Sequence, residues 1–238
     1  MKTKFSLFIL LGALLMSVVA WASPEDFSKK FKVSGFQNLD LGHAFEIKVV
    51  KGNTYSLAAY GRQEDVEDLE VDIDGSTLKV LYKDRSWGFN WGKNRKKVRL
   101  VISMPRLANA EFSGACRVEV EGFTNEEQMN FVFTGASKGQ LHQVNADKLN
   151  VELSGASRLN ISGRVGKLNV DASGASHLEG TDLLARDTDV EASGASHVSI
   201  QSQKTLRVDA SGASKVSYKG VPNISKDLSG AASINQVN

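Results

Sequence analysis

Cysteine is almost missing from this chain. Cys116 is the single one among 238 residues, so no internal disulfide can brace the fold and stability has to come from packing. A surplus of one charge is missing too. The 29 Lys and Arg face 27 Asp and Glu, and setting aside Lys2 and Lys4 leaves the signs balanced at 27 each. Without a global basic field, nucleic acid is not an expected partner. Beyond the first two dozen residues no apolar run is long enough to cross a bilayer, so no membrane span is expected. The chain also lacks a nucleophile elbow, a zinc-ligand pair and a phosphate loop. Neither a metal nor a cofactor is expected.

What is present begins with Lys2 and Lys4, an apolar run from Phe5 to Val19, and Ala20-Trp21-Ala22 before Ser23. That pattern is a secretory signal peptide over residues 1–22, set apart from fold reasoning. No cysteine stands at the cleavage point to take a lipid, which predicts a periplasmic or secreted protein. The remaining 216 or so residues suffice for one sizeable core, a single domain over 23–238.

Within that domain one tetrapeptide keeps returning. Ser-Gly-Ala-Ser starts at Ser154, Ser173, Ser193 and Ser211, with looser copies at Ser113, Thr134 and Ser229. Its glycines are Gly114, Gly135, Gly155, Gly174, Gly194, Gly212 and Gly230, spaced by 18 to 21 residues. A period near 20 predicts a solenoid, whose coils bury their apolar faces only by stacking. Glycine permits a sharp bend that a Cβ resists, and Ala and Ser let successive corners approach. The seven glycines are therefore read as structural corners, with Cys116 an inert stand-in for the fourth serine.

Counting from each glycine gives the faces. Two before it stand Phe112, Phe133, Leu153, Ala172, Ala192, Ala210 and Leu228; four after it stand Val118, Gly139, Leu159, Leu178, Val198, Val216 and Ile234. These even offsets, and those four before, are the inward side of two short strands flanking the corner. A second glycine eight after the mark, at Gly122, Gly163 and Gly220, suggests a second bend. The odd offsets face out. An acidic column includes Glu152, Asp171, Glu191 and Asp209; a basic one includes Arg158, His177, His197 and Lys215; Asn109, Asn130, Asn150 and Asn169 make a third. In the last coil Lys226 and Gln236 break the inward pattern, as blunting of a strand edge requires.

Residues 23–105 read as lead-in strands and a cap, and 106–238 as coils. Phe45, Ile47 and Val49 alternate with polar residues; Lys51-Gly52-Asn53 turns the chain; Tyr55, Leu57 and Ala59 alternate again. Arg62 to Leu69 can make one helical turn, Asp74-Gly75 joins two further strands, and Val98 to Met104 forms the last before Pro105. Between them lie Trp87, Phe89 and Trp91, followed by Lys93, Arg95, Lys96 and Lys97. Aromatics beside a basic run suit contact with sugar, lipid headgroup or protein, although they can equally cover an end of the core.

The run from Val98 to Pro105, Leu107, Glu111-Phe-Ser-Gly-Ala115 and the repeated Ser-Gly-Ala-Ser coils together resemble the GIN-domain family of auto-transporter adhesin heads. The resemblance spans nearly the whole exported chain. It implies an exported β-helix with an adhesin role and brings no active-site residues with it. The fold expected is all-β, a right-handed parallel β-solenoid. The function expected is a non-catalytic binding or structural module of the cell envelope, meeting a glycan or protein through its charged columns or tryptophan segment. The alternative is a carbohydrate-active enzyme, a polysaccharide lyase or hydrolase built on a β-helix. Coils trimmed to 18 to 21 residues leave few loops to wall a cleft for paired carboxylates.

Overall fold

Among the described residues the alternation of apolar and polar side chains becomes seventeen strands joined in one sheet. This computed structural model describes residues 27–83 and 95–237. The signal-peptide stretch and residues 84–94 lie outside the described residues. In chain order the elements are β1 (Phe27–Phe31), β2 (Asn38–Leu41), β3 (Glu46–Lys51), β4 (Ser56–Gly61), α1 (Gln63–Glu67), β5 (Leu69–Asp74), β6 (Thr77–Tyr82), β7 (Arg99–Met104), β8 (Asn109–Phe112) and β9 (Arg117–Glu121). They continue as β10 (Glu126–Phe133), β11 (Lys138–Leu153), β12 (Arg158–Ala172), β13 (His177–Ala192), β14 (His197–Ala210), β15 (Lys215–Lys219), β16 (Asn223–Leu228) and β17 (Ser233–Gln236).

Every pairing from β8 onward is parallel and joins like positions of successive coils, as in Glu152↔Asp171↔Glu191↔Asp209. The fold is a parallel β-solenoid with coils of about 20 residues. Segments leading into the tetrapeptide stack as one ribbon (β2, β8, β10, the second halves of β11 to β14, β16). Segments leaving it stack as another (β3, β9, the first halves of β11 to β14, β15, β17). The long strands bend between the two ribbons, where their registers shift. Gly122, Gly163 and Gly220 adopt φ of +85°, +137° and +106°, so the second bend lies where their spacing put it.

At each corner the glycine has φ between +68° and +78°, and the next alanine donates its N–H to the preceding glycine's carbonyl, as in Ala175 to Gly155 at 2.8 Å. The inter-coil ladder therefore continues through the turns, with Ser173, Ala175 and His177 donating to the coil before. A Cβ on Gly174 would stand 2.7 Å from the Gly155 oxygen. The fourth residue turns inward: Ser137, Ser157 and Ser214 are buried and donate to the carbonyl three residues back, at 3.0, 2.8 and 2.8 Å. Ser176 and Ser196, buried at the same place, make no such bond. Cys116 sits here, its Sγ 3.3 Å from the carbonyls of Gly42 and Ser113. Burial pushes its thiol up to about 11, which suits an inert filler.

The inward columns are buried as expected except in the last coil, where Leu228 and Ile234 are half-buried, and in two coils the sizes are complementary across the corner. Where Phe133 precedes the glycine, Gly139 follows; where Ala172 precedes, Leu178 follows. A Cβ on Gly139 would lie 2.5 Å from the Phe133 ring and 2.6 Å from Leu159. In these two coils large faces small, whereas Leu153 and Leu159 set two large side chains across the corner, so the fit is made coil by coil.

The lead-in region contains a corner that sequence reading passed over. Gly42-His43-Ala44-Phe45 connects β2 to β3, and these strands stack on β8 and β9. His43 occupies the glycine position with φ +69° and accepts the Ala115 N–H at 2.6 Å. Beyond this coil, β6 and β7 extend the two ribbons in parallel, and antiparallel strands close the end: β5 against β6, then β4 and β1 beyond β7. The strands on either side of Lys51-Gly52-Asn53 do not pair with each other, because β7 lies between them. Val66 of α1 is fully buried. At the other end every residue of β16 except Leu228 is exposed, Lys226 included.

Candidate functional site: a basic groove where the lead-in strands meet the coils

Parallel in-register stacking forces each outward offset into a straight row of like side chains about 4.8 Å apart. The acidic row, Glu152, Asp171, Glu191 and Asp209, makes no ion pair among the described residues. On the other side of the corner Arg117, Lys138, Arg158, His177, His197 and Lys215 stand in one register. His177 and His197 stack with ring centroids 6.1 Å apart. Burial, then the neighbouring Arg158, holds His177 below the usual imidazole range. No group of three His, Cys, Asp or Glu among the described residues could hold a metal ion. The asparagine row forms a real amide ladder: Asn109 donates to Asn38, Asn130 to Asn109, Asn150 to Asn130, and Asn169 to Asn150. It stops at Asn169, whose Oδ1 has no partner. The next residue in register, Asp189, has a carboxylate tied to Lys167 at 2.7 Å and no amide N–H to offer.

The basic row does not stop at the first repeat. Through β3 and β7 the same register continues as Glu46 and Arg99, then reaches Tyr60 of β4 and Ser28 of β1. A second outward row, two residues on, carries Val101, Lys48, Glu119, Gln140 and Asn160. Between and around these rows lies a groove of about 340 Å³. A smaller one of about 190 Å³ adjoins the corner and shares Glu46, Arg117 and Lys138. The two carboxylates in the groove are engaged: Glu119 with Lys48 at 3.2 Å, and Glu46 with Lys97 at 3.2 Å and Arg117 at 3.8 Å. Lys138 and Arg158 are exposed and have no carboxylate within 4.0 Å among the described residues.

The family model described as "Putative auto-transporter adhesin, head GIN domain" matches residues 35–222. The chain belongs to this family. Among solved structures, a "putative adhesin" from Bacteroides fragilis superposes with a TM-score of 0.80 at 21% identity, covering 90% of this chain and 98% of the other. A "putative lipid binding protein" from Parabacteroides distasonis gives 0.70 at 20% identity, covering 91% and 98%. A "putative adhesin" from Parabacteroides merdae gives 0.68 at 12%, again covering 91% and 98%. At such identities the likeness is one of fold. No curated protein shows significant similarity to the sequence.

In this GIN-domain chain Trp87, Phe89, Trp91 and Lys93 lie outside the described residues. The rest of the basic run is held against the lead-in strands. Arg95 lies over the Tyr82 ring at 4.1 Å and pairs with buried Asp68 at 2.6 Å. Burial raises the Tyr82 hydroxyl to about 12. The Lys96 amide donates to Asp65 at 3.2 Å, and Lys97 pairs with Glu46 at the groove. Burial works against ionisation of Asp65, yet the Arg62 hydrogen bond and the Lys96 amide hold its carboxyl below the usual range. The groove residues Tyr60, Arg99 and Lys48 were passed over by sequence reading. Their outward direction was legible from Ile47, Val49 and Leu100 facing in. Their neighbourhood was not, because Lys48 meets Glu119 across 71 residues of chain.

Proposed function

We propose that this chain is an exported, non-catalytic binding module of the cell envelope, adhesin-like, whose partner is a glycan or a protein. The observation that carries the reading is the row of cations lining a groove, in which exposed Lys138 and Arg158 have no carboxylate partner among the described residues. Like charges stacked strand on strand destabilise the fold slightly, and a ligand of opposite sign relieves that repulsion. Membership of an adhesin family supports a binding role, and no helix among the described residues is long and apolar enough to cross a membrane. The aromatic segment around Trp87 and Trp91 is a second proposed contact, because it stands in sequence shortly before Lys97, which pairs with Glu46 of the groove.

The groove's two carboxylates are the observation that favours the enzyme reading. Each is engaged with a cation, however, and the regular coils raise no walls around them, so we place them as supports of the basic row. A glycan array followed by product analysis tests the reading. Binding without turnover is expected, weakened by Trp87→Ala with Trp91→Ala if the aromatic segment takes part. Cleavage of a bound glycan would overturn it.

A further inference from the structure

Building on the binding-module reading, we propose that the groove recognises a linear acidic polysaccharide, carboxylated or sulfated, laid across the strands so that successive acid groups meet Arg117, Lys138 and Arg158. Four features carry this. The cations recur in a straight line at strand spacing, about 4.8 Å, which suits a repeating polyanion better than a compact one. Lys138 and Arg158 lack carboxylate partners among the described residues and are free to take anionic groups. Gln140 and Asn160 stand beside them in the second row with both donors and acceptors, the groups that hold sugar hydroxyls. Half-buried Tyr60 lines the groove next to Arg99 and brings an aromatic ring against which a sugar can pack. The exposed large hydrophobics among the described residues, Leu81, Val221, Ile224 and Val237, lie outside the groove. Of its apolar lining Ile47, Leu100 and Val118 are buried and Val101 half-buried, which leaves Arg117, Lys138, Arg158, Gln140 and Asn160 as its exposed side chains.

The test uses the exported chain on immobilised polygalacturonate, dextran sulfate and neutral dextran. Binding to one or both acidic polymers and not to dextran is expected, and the two acidic arms separate carboxylate from sulfate preference. Lys138→Glu with Arg158→Glu should weaken it at least about tenfold, whereas Lys204→Glu with Arg207→Glu, the same charge change outside the groove, should change it less than about threefold. Tyr60→Ala, which leaves every charge in place, should also weaken binding. Equal loss in both charge-reversed variants, equal binding to dextran, or no binding to either acidic polymer would overturn the inference. Retention of another glycan or a protein at full affinity by the groove variant would overturn it while leaving the binding module intact. Cleavage of the polymer would instead overturn the binding-module reading on which it rests.

Discussion

The coils and the lead-in strands solve one packing problem in opposite ways. From β10 onward each coil copies the last, the same glycine turns every corner, and each strand's neighbours are its own equivalents one period away. In the lead-in region the same two ribbons are continued by strands of unlike sequence, some reversed, and His43 stands where glycine stands elsewhere. Regularity produces straight rows of like side chains, and rows alone make a flat face. The groove appears where the regular rows run into Tyr60 in the first and Val101 and Lys48 in the second, side chains of different length from those of the coils. Repetition supplies the charge pattern; its interruption supplies the shape.

The sharpest way to break this comparison is in the coil core. Phe133→Ala should cost about 3–5 kcal/mol, the usual range for emptying a buried phenylalanine site. Adding Gly139→Leu should recover part of that, with a coupling of about 0.5–3 kcal/mol in a double-mutant cycle read by denaturant unfolding. Additive losses would show that the sizes are not matched across the corner.

Gly174→Val comes next. It combines left-handed backbone strain of about 1–3 kcal/mol with a Cβ pressed on the Gly155 carbonyl, and a clear fall in Tm is expected. In the lead-in hairpin Gly75 has a similar φ of +59° but open space around it. Gly75→Ala should therefore cost only the conformational part, about 1 kcal/mol. If the two variants melted together, close stacking of corners would not be what selects glycine in the coils.

The smallest effect concerns pH. His177 is held below its ordinary value of 6.5 by burial and by Arg158, and it also faces Glu179 and His197. The unfolded chain thus takes up this proton at higher pH than the folded one. His177 contributes stability that is complete above pH 6.5 and is lost as pH falls through the depressed folded value. His177→Gln should flatten the acid side of a Tm-against-pH curve, and an unchanged curve would remove the histidine from that account.

Much of the coil region was legible in advance because it is local. Phe133, Val151 and Leu178 declare their inward direction by spacing from a glycine, and the burial agrees at each. The outward rows were legible for the same reason, down to the asparagine ladder from Asn109 to Asn169. Two things were not. The corner at His43 has no glycine in the turning position, and its stack partner Gly114 is 71 residues away. The placing of β7 between β3 and β4 was equally hidden, since a turn at Gly52 reads locally as a hairpin.

The sequence by itself determined the period, the corners, the inward and outward faces and the sign of each charged row, because in a solenoid these depend on residues within one coil and on equivalents one period away. Only the tertiary structure decided that the basic row passes into Glu46, Arg99 and Tyr60 and that a groove opens there. Those neighbours are chosen by long-range strand pairing, in which β3 takes β7 on one edge and β9 on the other, and no local pattern of side chains specifies which edge meets which.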